Sequence, residues 1–184
     1  MNPAPNLFFV GPMGAGKTTI GRRVADRLGL DFHDLDHEIE IHTGATIPLI
    51  FELEGESGFR ERERSVLAEF AAKAGVVLST GGGAVLAEAN RRCLHQRGFV
   101  VYLETTIDQQ LARLARDRKR PLLAAANRRE RLVELASVRE PLYREVADLI
   151  VPAANVRNVS NAAAQLAAQL RQIWRRENEP EQAA

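Results

Sequence analysis

The chain has 184 residues, 45% of them hydrophobic and 27% charged, which fits one globular domain with a substantial core. Its formal net charge of +1 lacks the basic excess of a chain that lives on nucleic acid. The lone cysteine, Cys93, excludes an intrachain disulfide and a Cys-rich zinc site. His33, His37, His42 and His95 do not fall at tight metal-ligand spacing. No apolar run approaches the ~20 residues of a membrane span, and the opening MNPAPN lacks the charged and apolar regions of a signal peptide. The expectation is a cytoplasmic protein with no nucleic-acid or membrane partner, and nothing requires more than a monomer.

Leu7–Val10 reads as a buried strand, all apolar and ended by Gly11. Thr18–Leu28 reads as a helix with Ile20, Val24 and Leu28 on one face and Gly29 as its stop. Asp31–Leu35 is a short strand ending in acids. Glu38–His42 and Ile47–Glu52 are short helical pieces, and Ser57–Ala74 is a longer helix after a turn at Gly55. Val76–Ser79 is an apolar strand followed by three glycines. Glu88–Gln96 is helical, Phe99–Leu103 a strand and Ile107–Ala115 a helix. Arg128–Ala147 reads as a long helix that Pro141 should bend or break. Leu149–Val151 is a last strand and Asn161–Arg175 a last helix. Apolar strands alternating with helices predict an α/β fold, a five-stranded parallel sheet flanked by helices. Ligands of such sheets sit at the carboxyl ends of the strands. Gly11–Thr19, Asp34, Asp36 and Thr80–Gly83 all fall there.

Gly11-Pro12-Met13-Gly14-Ala15-Gly16-Lys17-Thr18 fits G-x-x-x-x-G-K-[ST], the P-loop. Glycines let successive N–H groups point inward as an anion nest, and the following helix adds its positive end. Lys17 supplies a mobile charge for the outer phosphates, and the Thr18 hydroxyl can ligate Mg²⁺. The plainer reading is a glycine-rich β–α turn with a solvated lysine; the strand before and the helix after strengthen the P-loop match. The base-reading N-K-x-D of a GTPase is missing. A small kinase then needs a hydroxyl held in line, a carboxylate near it, a metal, and cations over the transferring group.

Asp34 and Asp36 lie two apart, so in an extended chain both carboxylates share a face. One can support Mg²⁺ and the other can grip a hydroxyl and take its proton. A plain acidic helix start is the alternative. Arg60 and Glu63 are three apart on a helix, and a glutamate that orients an arginine makes a fork for a carboxylate. Gly81, Gly82 and Gly83 clear side chains from the place where backbone meets ligand. Arg116–Arg120, before Pro121, is either a solvated charge run or a lid that closes arginines over phosphates. Arg139 is another anion-binding arginine in the next helix.

With these parts in order, the chain resembles the shikimate kinases. The matching segments are GPMGAGKTTIGR (11–22), DLD (34–36), IFELEGESGFRERE (50–63), STGGG (79–83), RDRKRPLL (116–123) and REPLYREVAD (139–148). The resemblance implies transfer of the γ-phosphate of ATP to the 3-hydroxyl of shikimate, in the pathway to chorismate and the aromatic amino acids. It implies a P-loop kinase fold of the nucleoside-monophosphate-kinase type. A single domain over 1–176 would hold a core, a substrate-binding segment near 36–64 and a lid near 116–126, with 177–184 a polar tail. Gly14, Ala15, Gly16, Lys17, Thr18 and Thr19 would bind the phosphates. Thr18 would ligate Mg²⁺ with Asp34 in support. Asp36 would hold the shikimate hydroxyls and serve as base. Arg60 and Arg139 would grip the shikimate carboxylate, with Gly82 and Gly83 at the substrate. Lys17 and Arg120 would act on the transferring phosphate. Arg113 and Arg157 look like the nucleotide-contacting arginines of the family.

Overall fold

The computed structural model describes residues 4–115, 127–153 and 158–174. The strands are β1 (Asn6–Val10), β2 (Asp31–Asp34), β3 (Val76–Ser79), β4 (Gly98–Leu103) and β5 (Leu149–Val151). The helices are α1 (Lys17–Leu28), α2 (Leu35–Thr43), α3 (Ile47–Ala72), α4 (Glu88–Arg97), α5 (Ile107–Leu114), α6 (Arg128–Val146) and α7 (Val159–Ile173). One sheet forms in the order β2-β3-β1-β4-β5, and every pairing is parallel. The five-stranded parallel sheet expected from the apolar runs is present.

β1 is the central strand, in register with β3 through Leu7 and Val77 and with β4 through Leu7 and Phe99. All its residues are buried. Successive side chains of a strand point to opposite faces. Leu7 and Phe9 pack with Ile20 and Val24 of α1 and Ala163, Leu166 and Leu170 of α7. Phe8 and Val10 pack on the other side with Leu35, Ile39, Leu67, Phe70 and Tyr143. A strand covered on both faces must read as a continuous apolar run, which is why LFFV was legible.

Asn6 is the polar exception. It is fully buried. Its side-chain amide donates to the carbonyls of Ala71 (3.2 Å) and Lys73 (2.7 Å), and its carbonyl accepts from the Val76 N–H (3.1 Å). One side chain therefore fixes the end of α3 and the start of β3 against β1.

Three local features depart from the sequence reading. β2 ends at Asp34, and Leu35 already opens α2. Asp34 and Asp36 therefore do not share the face of an extended strand. Asp34 is the extended residue before the helix, and Asp36 lies in its first turn, where the helix dipole favours an acid. Second, α6 runs unbroken through Pro141. The proline removes one bond to the Ser137 carbonyl, while Arg139, Tyr143 and Val146, buried on the same helix, hold it in place. Third, α1 starts at Lys17, one residue early. The expected turn at Gly55 is present as a kink in α3, with φ 69°. No helix among the described residues is long and apolar enough to cross a membrane.

Asn6→Ala leaves a buried amide, a buried carbonyl and a half-buried carbonyl without their partner. It is expected to cost about 3 kcal/mol of stability, since each orphaned group costs roughly 1–3 kcal/mol. Urea denaturation checks this. An unchanged midpoint would mean that other groups take over these bonds.

Candidate active site

At the carboxyl end of β1 the chain turns through the P-loop into α1. Gly16 precedes the helix with φ 95°, a left-handed conformation that glycine adopts without penalty, and it has no side chain with which to cap the helix. The first helical bond runs from the Ile20 N–H to the Gly16 carbonyl (2.8 Å). The amides of Lys17, Thr18 and Thr19 thus belong to the opening turn, where helix geometry supplies no acceptor. The Ala15 N–H closes a turn onto the Pro12 carbonyl (3.2 Å). The Lys17 ammonium is buried and donates to the carbonyls of Gly11 (2.8 Å) and Pro12 (2.9 Å). Arg113 reaches in from α5 and donates to the Gly14 carbonyl (2.7 Å). The Thr18 hydroxyl donates to Asp34 Oδ2 (2.6 Å).

The second half of the site gathers around the three glycines after β3. Thr80 anchors this turn, because its amide and its hydroxyl both donate to the Phe9 carbonyl at 3.0 Å. A Cβ on Gly82 would stand 3.4 Å from the Met13 amide nitrogen and 3.6 Å from the Gly11 carbonyl oxygen. The turn therefore lies against the P-loop. A Cβ on Gly83 would stand 2.4 Å from Arg60 Nη2. Arg60 is seated on that bare backbone by two acids. Nη1 donates to Glu63 Oε2 (2.7 Å) and Nη2 to Glu56 Oε1 (3.0 Å). A Cβ on Gly81 would stand 2.9 Å from Asp36 Oδ1 and 3.0 Å from Glu63 Oε1. Asp36 and Glu63 thus meet over the first glycine, and Arg60 covers the third.

Glu63 is 1% exposed, and burial pushes its carboxyl above the ordinary range, with Arg60 pulling the other way and Asp36 adding to the rise. Burial works against the charge on Arg60, but Glu63 and Glu56 outweigh it and hold the guanidinium charged. Arg139, on α6, is 5% exposed. Burial lowers its pKa, Tyr143 works against that, and the like charge of Arg60 adds to the lowering. Two guanidiniums from different helices thus act on one another across the turn. A cavity of about 200 Å³ between α5, α6 and the loop is lined by Pro12, Met13, Gln110, Leu132, Arg139 and Tyr143.

The structure brings together Lys17, Thr18, Asp34 and Arg113 on one side, and Asp36, Arg60, Gly82, Gly83 and Arg139 on the other. Arg120, Arg157 and the segment 116–126 lie outside the described residues. Gly81, read from the sequence with its two neighbours as clearing side chains, makes room for Asp36 and Glu63. Two contributors escaped the sequence reading. Glu56 is four residues before Arg60, a spacing that signals a helical pair. Tyr143, one turn after Arg139, gave no signal beyond that spacing.

A P-loop at the end of the central strand, with two arginines and an aspartate gathered beside it, defines a small-molecule P-loop kinase. Comparison with known proteins makes this specific. The family model described as shikimate kinase matches residues 13–172. A shikimate kinase from Stenotrophomonas maltophilia is 52% identical over 178 residues, 97% of this chain and 98% of that one. One from Pseudomonas fluorescens is 58% identical over 146 residues, 79% of this chain and 85% of that one. The structure of shikimate kinase from Acinetobacter baumannii in complex with shikimate has a TM-score of 0.85 at 50% identity, covering 94% of this chain and 93% of that one. The chain belongs to the shikimate kinase family.

Gly83→Ala is expected to unseat Arg60, since the new methyl claims the space of its guanidinium. A crystal structure of the variant should show Arg60 moved from Glu63 on an unchanged sheet. An arginine still seated, with the turn displaced, would show that the backbone is the softer partner.

Proposed function

We propose that the protein transfers the γ-phosphate of ATP to the 3-hydroxyl of shikimate, giving shikimate 3-phosphate and ADP, a step toward chorismate and the aromatic amino acids. The observation that carries this reading is the pair Arg60 and Arg139, a half-buried and a buried guanidinium from two helices beside the P-loop. A carboxylate between them relieves their mutual repulsion and accepts paired N–H donors. Shikimate carries one carboxylate and three hydroxyls, which suits two arginines and one aspartate.

In this reading the P-loop amides and Lys17 hold the phosphates, and Arg113 lies at the nucleotide side. The 3-hydroxyl oxygen attacks the γ-phosphorus, the bond to the β,γ-bridging oxygen breaks, and Asp36 takes the hydroxyl proton. Lys17 neutralises charge that develops on the transferring group. Thr18 Oγ1 and Asp34 Oδ2, 2.6 Å apart, are hard oxygen donors of the kind a small divalent cation takes. They fit Mg²⁺, with Thr18 as ligand and Asp34 in support. When bound, Mg²⁺ supplies further neutralisation of phosphate charge. Arg120, from a lid near 116–126, and Arg157 would add cations at the nucleotide. The reading takes 1–176 as one kinase domain, with substrate bound by a segment near 36–64, working as a cytoplasmic monomer.

The direct test is ADP release with Mg·ATP, comparing shikimate, gluconate and AMP as acceptors. Turnover is expected with shikimate alone. ATP binding with no turnover on shikimate would leave only the P-loop part of the reading standing. Asp36→Asn is expected to abolish turnover while leaving ATP affinity largely intact, and a normal kcat would remove Asp36 as base or positioner. Arg60→Ala is expected to weaken shikimate binding by about 2–5 kcal/mol, the loss typical of a buried charge-paired contact, with ATP affinity little changed.

A further inference from the structure

Leu132, Ala136, Arg139 and Tyr143 recur on one face of α6, and with Met13 and Gln110 they line the cavity of about 200 Å³. Of the residues assigned above to the nucleotide or the acceptor, only Arg139 belongs to its described lining. Asp36, Arg60, Gly82, Gly83 and Lys17 do not. The walls are mostly apolar. Met13, Leu132, Ile107 and Leu135 come from a small cluster apart from the two layers that cover the sheet. Tyr102 and Tyr143 add two rings with centroids 5.1 Å apart.

Most polar groups on the wall are already engaged. The Tyr143 hydroxyl donates to the Gly82 carbonyl. The Thr105 hydroxyl donates to Gln109 Oε1 (2.9 Å), and Thr106 Oγ1 accepts from the Gln109 N–H (3.2 Å). Glu140 is held by Arg144 (3.0 Å). Two groups are not engaged. Gln110 is 2% exposed and Tyr102 is 4% exposed, and neither side chain makes a hydrogen bond among the described residues. Glu63 Oε1 is the one buried side-chain atom sealed off without a partner among those residues. The polar ends of Gln110 and Tyr102 therefore keep some accessible surface, and the cavity is the space both residues line. Burial, with Glu140 and Glu104 adding to it, pushes the Tyr102 phenol up to about 12, so it remains a donor at neutral pH. Arg139, the third polar group here, carries no hydrogen-bonded carboxylate among the described residues.

Buried polar groups call for partners, and these three call for different ones. A guanidinium takes an anion. An amide and a phenol together suit a hydroxyl, which both donates and accepts. An apolar cavity of about 150 Å³ takes benzene, so this one has room for one substituted ring. We propose that the cavity is a second ligand site, for a single-ring aromatic carboxylate that carries a ring hydroxyl. The ring packs among the apolar walls, the carboxylate meets Arg139, and the hydroxyl meets Gln110 and Tyr102. One guanidinium cannot serve two carboxylates in two places, so a ligand here weakens acceptor binding. That coupling rests on the reading of Arg139 as part of the acceptor clamp; the site itself does not.

The probe is 4-hydroxybenzoate, titrated calorimetrically into the full chain. Saturable binding is expected with a Kd below about 1 mM. Ala136→Leu, which fills the cavity from a residue outside both substrate sites, should weaken this binding about tenfold or more while leaving shikimate KM and the melting temperature close to wild type. Arg60→Ala should weaken shikimate but not 4-hydroxybenzoate. At saturation, 4-hydroxybenzoate should raise shikimate KM about tenfold, the cost of one charge-assisted contact, and shikimate should weaken 4-hydroxybenzoate by the same factor. Absence of binding to the wild-type protein would mean that the cavity holds water only, and would overturn the inference. So would binding that survives Ala136→Leu, or binding lost in Arg60→Ala, which would place the probe in the acceptor clamp. Binding that leaves shikimate affinity unchanged would overturn the sharing of Arg139. A wild-type protein without turnover on shikimate would sink the proposed function, while the calorimetry would still decide the cavity.

Discussion

The complete burial of β1 is the constraint on which the rest depends. Its faces are covered by two apolar layers and its edges are paired with β3 and β4. Buried backbone groups must be hydrogen-bonded, and along β1 the neighbouring strands meet that demand. At Gly11 the ladder ends. Beyond it the chain has polar backbone and no neighbouring strand, and the N-terminus of α1 follows within a few residues. An anion site at this place follows from the topology. The residue types decide how good a site it is: glycine before the helix, lysine and threonine in its first turn.

The same strand sets the acceptor side. Thr80 binds the Phe9 carbonyl with two of its groups, so the triple-glycine turn starts at a fixed height beside the P-loop. Everything that touches that turn inherits this placement. Arg60 comes down on Gly83 and Asp36 approaches Gly81. Glu63 is the expensive part of the arrangement. It is buried, close to another acid, and its Oε1 has no hydrogen-bond partner among the described residues. Such a carboxylate contributes little net stability. Its return is geometric, because Oε2 holds Arg60 against backbone that a side chain would have kept at a distance.

The strands and the P-loop were legible in the sequence because their chemistry is local. A strand buried on both faces needs an apolar run, and phosphate binding needs glycine, lysine and a hydroxyl at set intervals. Arg60 with Glu63 was legible for the same reason, as a helical pair. The end of β2 was not. The Asp34 carboxylate is taken by Thr18, sixteen residues earlier in the chain, and no local pattern announces that choice. Asn6 and Tyr143 are similar cases, with partners 65 and 61 residues away. Pro141 misled because local propensity argues for a break, while buried residues on either side of it favour the helix. The sequence therefore carried the site's chemistry well and its tertiary ties poorly.

Those ties matter because the site is built from elements that share no secondary structure. α3 delivers one arginine, α6 the other, α2 the aspartate, and α1 the amides of its opening turn. Each is remote in the chain, and all are referred to one short turn. The two arginines illustrate the physical problem. Like charges brought together in a partly buried place repel, and flexible side chains would separate to lower that energy. Arg60 is restrained by carboxylates, which also cancel its charge. If Arg139 were restrained in the same way, a neutralised pair would have little attraction left for an anion. Glu56 acts on Arg139 through its charge, and no carboxylate is hydrogen-bonded to that guanidinium among the described residues. The asymmetry leaves Arg60 as fixed structure and Arg139 with more of its positive charge unmatched, a division of labour that suits the proposed carboxylate clamp.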